Sequence, residues 1–309
     1  MRRPAPLPPQ LQQRTFTLVE ARVLGVGRGR LQASDITNLG RGLYLHGSGP
    51  PDPLQVLRGL TQLHRGIWAS HQTAARIHGL WLPRRLEQEH ALHVSRHRSS
   101  PALTLRGVTC HSVLQYPDEL VAHDGIPFAS PARTWLDLAS AMSLDDLVSM
   151  GDQLLRNPRS QFEERAAPWA TRDGLVRLLA THPNLQGIVR AREALELMRV
   201  GADSAPETQL RLAIVRYGLP EPELQLRLNP RDDFSPQADM GYRRYRIAIQ
   251  YDGETHRDPL QQARDNDRDG RFDAARWRYF KFGSPDLANG FARACHRVAE
   301  AVLEARRPR

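Results

Sequence analysis

The sequence predicts an α/β chain, α+β overall, built from more than one domain, and three observations predict it. At 309 residues the chain exceeds the usual length of a single domain. Its composition, 40% hydrophobic and 25% charged, is that of an ordinary globular protein. Helical and strand-like periods alternate along it, and the last third reads helix, three strands, helix, strand, helix, the order of a mixed sheet with flanking helices. The expected divisions are a front module at 1–60, a small α+β domain at 61–155, a helical linker at 156–200 and an α/β domain at 201–309.

The opening "MRRPAPLPPQ" is Pro-rich and expected to fray. "TLVEARVLGVGRGRLQ" then offers a helix and a Gly-punctuated turn, and "SDITNLGRGLYLHG" a connector with a short strand. Two short helices followed by a basic turn and an apolar strand are how a winged helix-turn-helix module reads. On that reading Arg28, Arg30 and Arg41 are candidates for phosphate or groove contacts. A helical cap with solvated arginines is the competing reading.

In the second segment "WASHQTAARIHGLWLP" predicts a helix capped by Ser70 and stopped by Gly79. Three strand-like runs follow, "ALHVSRH", "GVTCHSV" and "HDGIPFAS". "SPARTWLDLASAMSLDDLVSMGDQLLR" is a helical pair, with Ser130 as N-cap, Pro131 in the first position, and Trp135, Leu138 and Ala139 on the apolar face. Histidines are dense here, but only the loose pairs His71/His78 and His93/His97 approach ligand spacing. Structural histidines are expected rather than a metal site.

The last third opens, after a polar helical stretch, with "SAPETQLRLAIVRYGLP". Ser204 and Glu207 form a capping-box pattern, and Leu210, Ala213, Ile214 and Tyr217 fall on one face. "ELQLRLNP" and "SPQADMGY" are strands, and "RRYRIAIQYDGETH" supplies a third. Alternation puts Ile247, Ile249 and Tyr251 on one side of it and Ala248, Gln250 and Asp252 on the other. A long helix, the strand "RYFKFG" and a closing helix complete the order.

Net charge is +9 and the pI about 10.3, a balance that favours polyanion partners. Lys281 is the only lysine, so the arginine excess also reflects a compositional habit. Two cysteines, Cys110 and Cys295, give neither a disulfide framework nor a Cys-rich zinc site, so no zinc is expected and a reducing cytoplasm suits the chain. No apolar run is long enough to span a bilayer and no secretory leader is legible, so no membrane partner is expected.

The chemistry concentrates in the third segment. Asp239 stands about ten residues before Gln250, a spacing that lets a hairpin bring it to the strand end near Gln250 and Asp252. Two carboxylates and an amide oxygen there form a hard-oxygen set of the kind Mg²⁺ prefers, and such an ion polarises a phosphoryl oxygen. His256 has the ordinary pKa of a general base or acid, and Glu207 adds an outer carboxylate if its helix packs on the strand end. Arg264, Arg268 and Arg271 form a ridge at i, i+4 and i+7 on the long helix. The ridge reads either as a phosphate track or as a solvated, salt-bridged face. Lys281 is a further candidate to touch phosphate, and Trp277, Tyr279 and Phe280 are either base-stacking or core side chains.

The stretches "SAPETQLRLAIVRYGLP", "QADMGYRRYRIAIQYDGETH", "ARDNDRDGRFDAARWRYFKF" and "PDL" resemble the very-short-patch-repair-type endonucleases of the PD-(D/E)XK superfamily, over about a third of the chain. The resemblance implies a restriction-endonuclease-like core that cleaves DNA with Mg²⁺. It matches the helix Glu to Glu207, the core Asp to Asp239, and the "E-x-D-G…H" pattern to Gln250, Asp252, Gly253 and His256. Gln250 stands where the pattern most often has Glu, and Asp252 where the superfamily carries Lys. More loosely, "GRGLYLHG", "SHQTAARIHGLWLP" and "DGIPFASPARTWLDLA" resemble AbiEi-type antitoxins, which implies DNA binding by the front module. Two functions are therefore expected to compete: a Mg²⁺-dependent DNA endonuclease, and a non-catalytic DNA-binding regulator on a degenerate nuclease fold. An RNA-directed nuclease or toxin is a third option.

Overall fold

A computed structural model describes residues 4–49, 51–101, 103–105, 107–159, 163–232, 234–253 and 259–307, with only the backbone described for 259–265. Among the described residues the chain is a mixed α+β protein with twelve α-helices and three sheets. It divides into two compact units, 1–140 with 178–188, and 141–177 with 189–309. No helix among the described residues is long and apolar enough to cross a membrane.

The first unit begins with β1 (Thr15–Thr17), α1 (Leu18–Val23), β2 (Ile36–Gly40), β3 (Leu43–His46) and α2 (Pro53–Leu63). Strands β1, β3 and β2 make an antiparallel sheet in that order. Helix α1 starts where it does because Thr17 and Glu20 close a reciprocal capping box, Thr17 Oγ accepting from Glu20 N at 3.1 Å and Glu20 Oε2 from Thr17 N at 2.7 Å. The Pro-rich opening does not fray at its apolar positions: Leu7 and Leu11 are buried beside Phe16 and Ala21, because two leucines in the turn give it an apolar anchor.

A five-stranded mixed sheet follows, from β4 (Ile67–Ala69), α3 (His71–Ile77), α4 (Arg84–Glu87), β5 (Leu92–His97), β6 (Val108–Val113), β7 (Leu120–His123), β8 (Ile126–Ala129) and α5 (Pro131–Asp137). The spatial order is β6-β5-β4-β8-β7. Ser70 sits at the N-cap of α3 without a side-chain cap bond, since its hydroxyl accepts from Ser95 Oγ at 2.7 Å instead. Inside this unit Arg133 is fully buried, held by Asp137 at 2.8 Å and by Glu119, which also meets His182.

The histidines pair differently from their spacing. His71 stacks on His111 with centroids 3.6 Å apart, and His93 Nδ1 meets His111 Nε2 at 3.0 Å. The parallel β5–β6 register and the start of α3 bring them together; neither is visible in i+4 spacing. Burial, then repulsion between the rings, lowers His71 to about 2 and His111 to about 4.

The second unit contains α6 (Leu144–Leu155), most of α7 (Arg172–Thr181), α8 (Ile188–Leu197), α9 (Ala205–Arg216), β9 (Glu223–Arg227), β10 (Gln237–Tyr242), β11 (Ile247–Asp252), α10 (Pro259–Ala274), β12 (Arg278–Gly283), α11 (Ser284–Ala288) and α12 (Ala292–Arg306). Its sheet runs β12-β11-β10-β9, with β9, β10 and β11 antiparallel and β12 parallel to β11. One face packs Met240, Ile247, Ile249, Phe280 and Phe282 against Leu210 and Ile214 of α9 and Val298 of α12. Ala248 and Tyr279 pack with Phe272 of α10. Tyr217, expected on the apolar face of α9, is instead 49% exposed, because it is already the C-cap where the helix stops. Gly241 permits the close β10–β11 approach: a Cβ there would lie 2.2 Å from the Ile247 carbonyl oxygen. Helices α6 and α9 are joined through Asp152, whose buried carboxylate accepts from Arg211 Nη2 at 3.0 Å, Thr208 Oγ1 at 2.9 Å and Arg199 N at 2.6 Å.

Two outcomes follow. Asp152→Ala removes the buried carboxylate of Arg211 and leaves it only the half-exposed Glu221, and urea unfolding is expected to show a loss of about 3 kcal/mol, much of it recovered by adding Arg211→Met. The second concerns acid. His71 and His111 stay neutral in the fold below the 6.5 at which the unfolded chain takes up protons, so stability falls as pH drops from 6.5 toward 4. His111→Gln is expected to flatten that loss in melting curves taken across this window.

Candidate active site

Strand β11 builds the site. Its register against β10 pairs Met240 with Ile249, so Asp239 lies opposite Gln250, and its register against β12 pairs Gln250 with Lys281. Asp239, Gln250 and Lys281 thus form one row across three strands. Asp252 follows Gln250 by two on the same face, and Tyr279 precedes Lys281 by two. Asp239 and Asp252 therefore share a side of the sheet, as the sequence predicts.

Glu207 arrives from the first turn of α9. Ser204 caps the helix, accepting from Glu207 N at 3.4 Å and donating its hydroxyl to Glu207 Oε1 at 2.7 Å. The expected capping box is incomplete: Glu207 Oε2 accepts from Asp203 N at 2.9 Å rather than from Ser204 N. That bond turns the carboxylate inward, where it is 7% exposed. Burial pushes Glu207 above its ordinary value. Burial and then the Glu207 carboxylate raise Asp239 to about 8, against opposing pulls from Tyr251 N–H and Arg268. A carboxyl held partly protonated near neutrality can accept or release a proton at working pH.

Both oxygens of Asp239 are already bonded. Oδ1 accepts from Gln250 Nε2 at 2.6 Å and Oδ2 from Tyr251 N at 2.7 Å. Gln250 Oε1 in turn accepts from Asp239 N at 3.3 Å and from the Tyr279 hydroxyl at 3.4 Å. The amide therefore presents N–H, not its carbonyl, to the carboxylate where a cation would sit. As arranged, this set does not fit Mg²⁺, because an N–H stands on each Asp239 oxygen and the Gln250 oxygen is turned to the Asp239 N–H and the Tyr279 hydroxyl. No group of three or more His, Cys, Asp or Glu side chains among the described residues is placed to hold a metal ion.

The basic candidates divide. Arg268 Nε donates to the Tyr279 hydroxyl at 3.1 Å, so one member of the helix ridge faces the site, while Arg271 is exposed. Lys281 is in the row but ion-paired to Asp269 of α10. In the first unit Arg28 is exposed and Arg41 is exposed at the tip of the β2–β3 hairpin with φ 49°. Arg30 is corrected: Asp35 grips it through two 2.7 Å bonds and its Nε donates to Ala5, so it braces the module rather than reaching outward. His256 and the side chain of Arg264 lie outside the described residues. Phe280 is core and Trp277 packs on Phe272. Sequence reasoning missed Tyr279 and Asp269 as partners of the row; the alternation in "RYFKFG" carried the signal, but the parallel register was needed to use it.

No family model matches the sequence, and no solved structure matches it. Two uncharacterized proteins of Mycobacterium tuberculosis, from strains CDC 1551 / Oshkosh and ATCC 25618 / H37Rv, are each 26% identical to this chain over 178 residues, 57% of this chain and 62% of the relative. The matched stretch thus spans under two thirds of those relatives.

Because Asp239 holds its proton to about pH 8 in the fold but only to 3.8 otherwise, the fold binds that proton more tightly between the two, and stability falls as pH rises through this window. Asp239→Asn removes the titration. Denaturation of both proteins is expected to show the variant gaining on the wild type from pH 4 to pH 8; parallel curves would exclude a raised carboxyl.

Proposed function

We propose that this chain is a DNA-binding protein whose second unit is a nuclease-like core of the PD-(D/E)XK type, similar to the very-short-patch-repair endonucleases, suited to phosphodiester hydrolysis. The observation that carries the reading is that Glu207, Asp239 and Gln250 meet, with Asp252 two residues further along the same strand face, in a helix–three-strand–helix–strand core. That element order, α9-β9-β10-β11-α10-β12, with β12 parallel to β11, supports the resemblance read in the sequence. The net charge of +9 and the exposed Arg28, Arg41 and Arg271 support a polyanionic partner. The β2–β3 hairpin, with Arg41 at its tip, supports a winged-helix-like role for the front module. In the hydrolytic reading the chain's own groups hold and move a proton at Asp239 and place Arg268 beside the carboxylates; a divalent ion, if taken up, would supply charge neutralisation at the phosphate.

A second reading, a DNA-binding regulator that keeps the nuclease-like fold as a scaffold, is favoured by one feature, the Gln250 amide seated against Asp239. One experiment separates the two. Plasmid and short duplex DNA are incubated with the full chain and Mg²⁺ or Mn²⁺, alongside Asp239→Ala. Nicking that falls at least about 100-fold in the variant is the expected result for a nuclease. Cleavage that persists in the variant would sink that assignment. Salt-dependent duplex binding without cleavage in either ion supports the regulator, and no duplex binding at low salt overturns both.

A further inference from the structure

We propose that the Gln250 amide is a built-in stand-in for a cation, a lock that keeps this core closed to divalent metal, and that a carboxylate at this one position opens it. The inference rests on the nuclease-like reading of the same site and concerns how that site is regulated.

The lock is a set of four hydrogen bonds. Gln250 Nε2 lies 2.6 Å from Asp239 Oδ1, and Tyr251 N lies 2.7 Å from Oδ2, so each oxygen already carries an N–H donor. The opposite end of the amide is pinned as well, with Oε1 taking Asp239 N–H and the Tyr279 hydroxyl. The Asp239 backbone N–H, which can only donate, favours this orientation, since a reversed amide would set its NH₂ against that donor. Tyr279 is itself fixed, since Arg268 Nε donates to its hydroxyl at 3.1 Å and its ring packs on Phe272 at 5.3 Å.

The charges explain why the amide is tolerated. Glu207 and Asp239 interact closely, and Asp252 stands on the same face two residues beyond Gln250. The Glu207 and Asp239 carboxyls repel each other, and Arg268 and the Gln250 N–H offset that repulsion. Glu at 250 removes that N–H and adds a further acidic group beside Asp239, so a divalent ion becomes the favourable way to restore balance. Affinity in such oxygen sites rises with the charge of the ligand set.

The test uses the full chain and Mn²⁺, followed by calorimetry and by the free-ion resonance signal at neutral pH. Gln250→Glu is expected to bind Mn²⁺ at least about tenfold more tightly than the wild type. Adding Asp239→Asn should return it to the wild-type level. Tyr279→Phe keeps every charge but frees Oε1 to turn, and a gain of a few-fold is expected. This variant keeps the test valid if Gln250→Glu does not fold. Wild-type binding as tight as Gln250→Glu, or no gain in either variant, overturns the lock. Tighter metal binding without DNA cleavage by Gln250→Glu leaves the lock standing and sinks the nuclease reading. Wild-type cleavage that depends on Asp239, with no gain in metal affinity from Gln250→Glu, does the reverse.

Discussion

Strand β11 constrains everything proposed for the second unit. Its alternation commits Ile247 and Ile249 to the core with α9 and α12, and that commitment leaves Ala248, Gln250 and Asp252 on the opposite face. A slip of one residue would bury Gln250 among phenylalanines and move Ile249 to the face that carries the polar row. The apolar face thus holds the polar face in register, and the two neighbouring strands deliver Asp239 and Lys281 to it from opposite sides. The site's precision comes from hydrophobic burial on the far side of the sheet.

The same logic decides which parts were legible in the sequence. Strand β11, the Asp239–Gln250 hairpin and the caps at Ser130 and Ser204 were readable because each depends on neighbours within a few residues. Helix α2 and strand β1 went unread because their patterns are short, and the contacts that fix them, such as Thr15 N with Gln55 Oε1 at 2.9 Å, join residues forty apart. The site shows the same split. Alternation put Gln250 and Asp252 on one face, but nothing local tells that Tyr279 would close on Gln250 Oε1 or that Asp269 would hold Lys281. Parallel pairing through a crossover helix is long-range by construction.

Gln250 was read from the sequence as a weak metal ligand, an oxygen donor without charge. Geometry gives it the opposite sense, as a donor of N–H to the carboxylate it was expected to assist. A side chain with both a donor and an acceptor can take either part. What decides is which groups surround it, here one carboxylate on the nitrogen side and two donors on the oxygen side.

Arginine richness bears on the partner in a way composition alone does not settle. Arg133 and Arg211 are buried, and each is paired with two acids: Glu119 and Asp137 for the first, Asp152 and Glu221 for the second. Arg30 is tied to Asp35. Counted alone, arginine buried this way would be subtracted from the basic excess. The pairing shows otherwise, because each internal arginine takes at least one acid with it. Removing such groups from the surface count does not lower the formal excess of +9, and outward-facing residues such as Arg28, Arg41 and Arg271 contribute to it. A charge excess of that kind is what the polyanionic partner proposed above would meet.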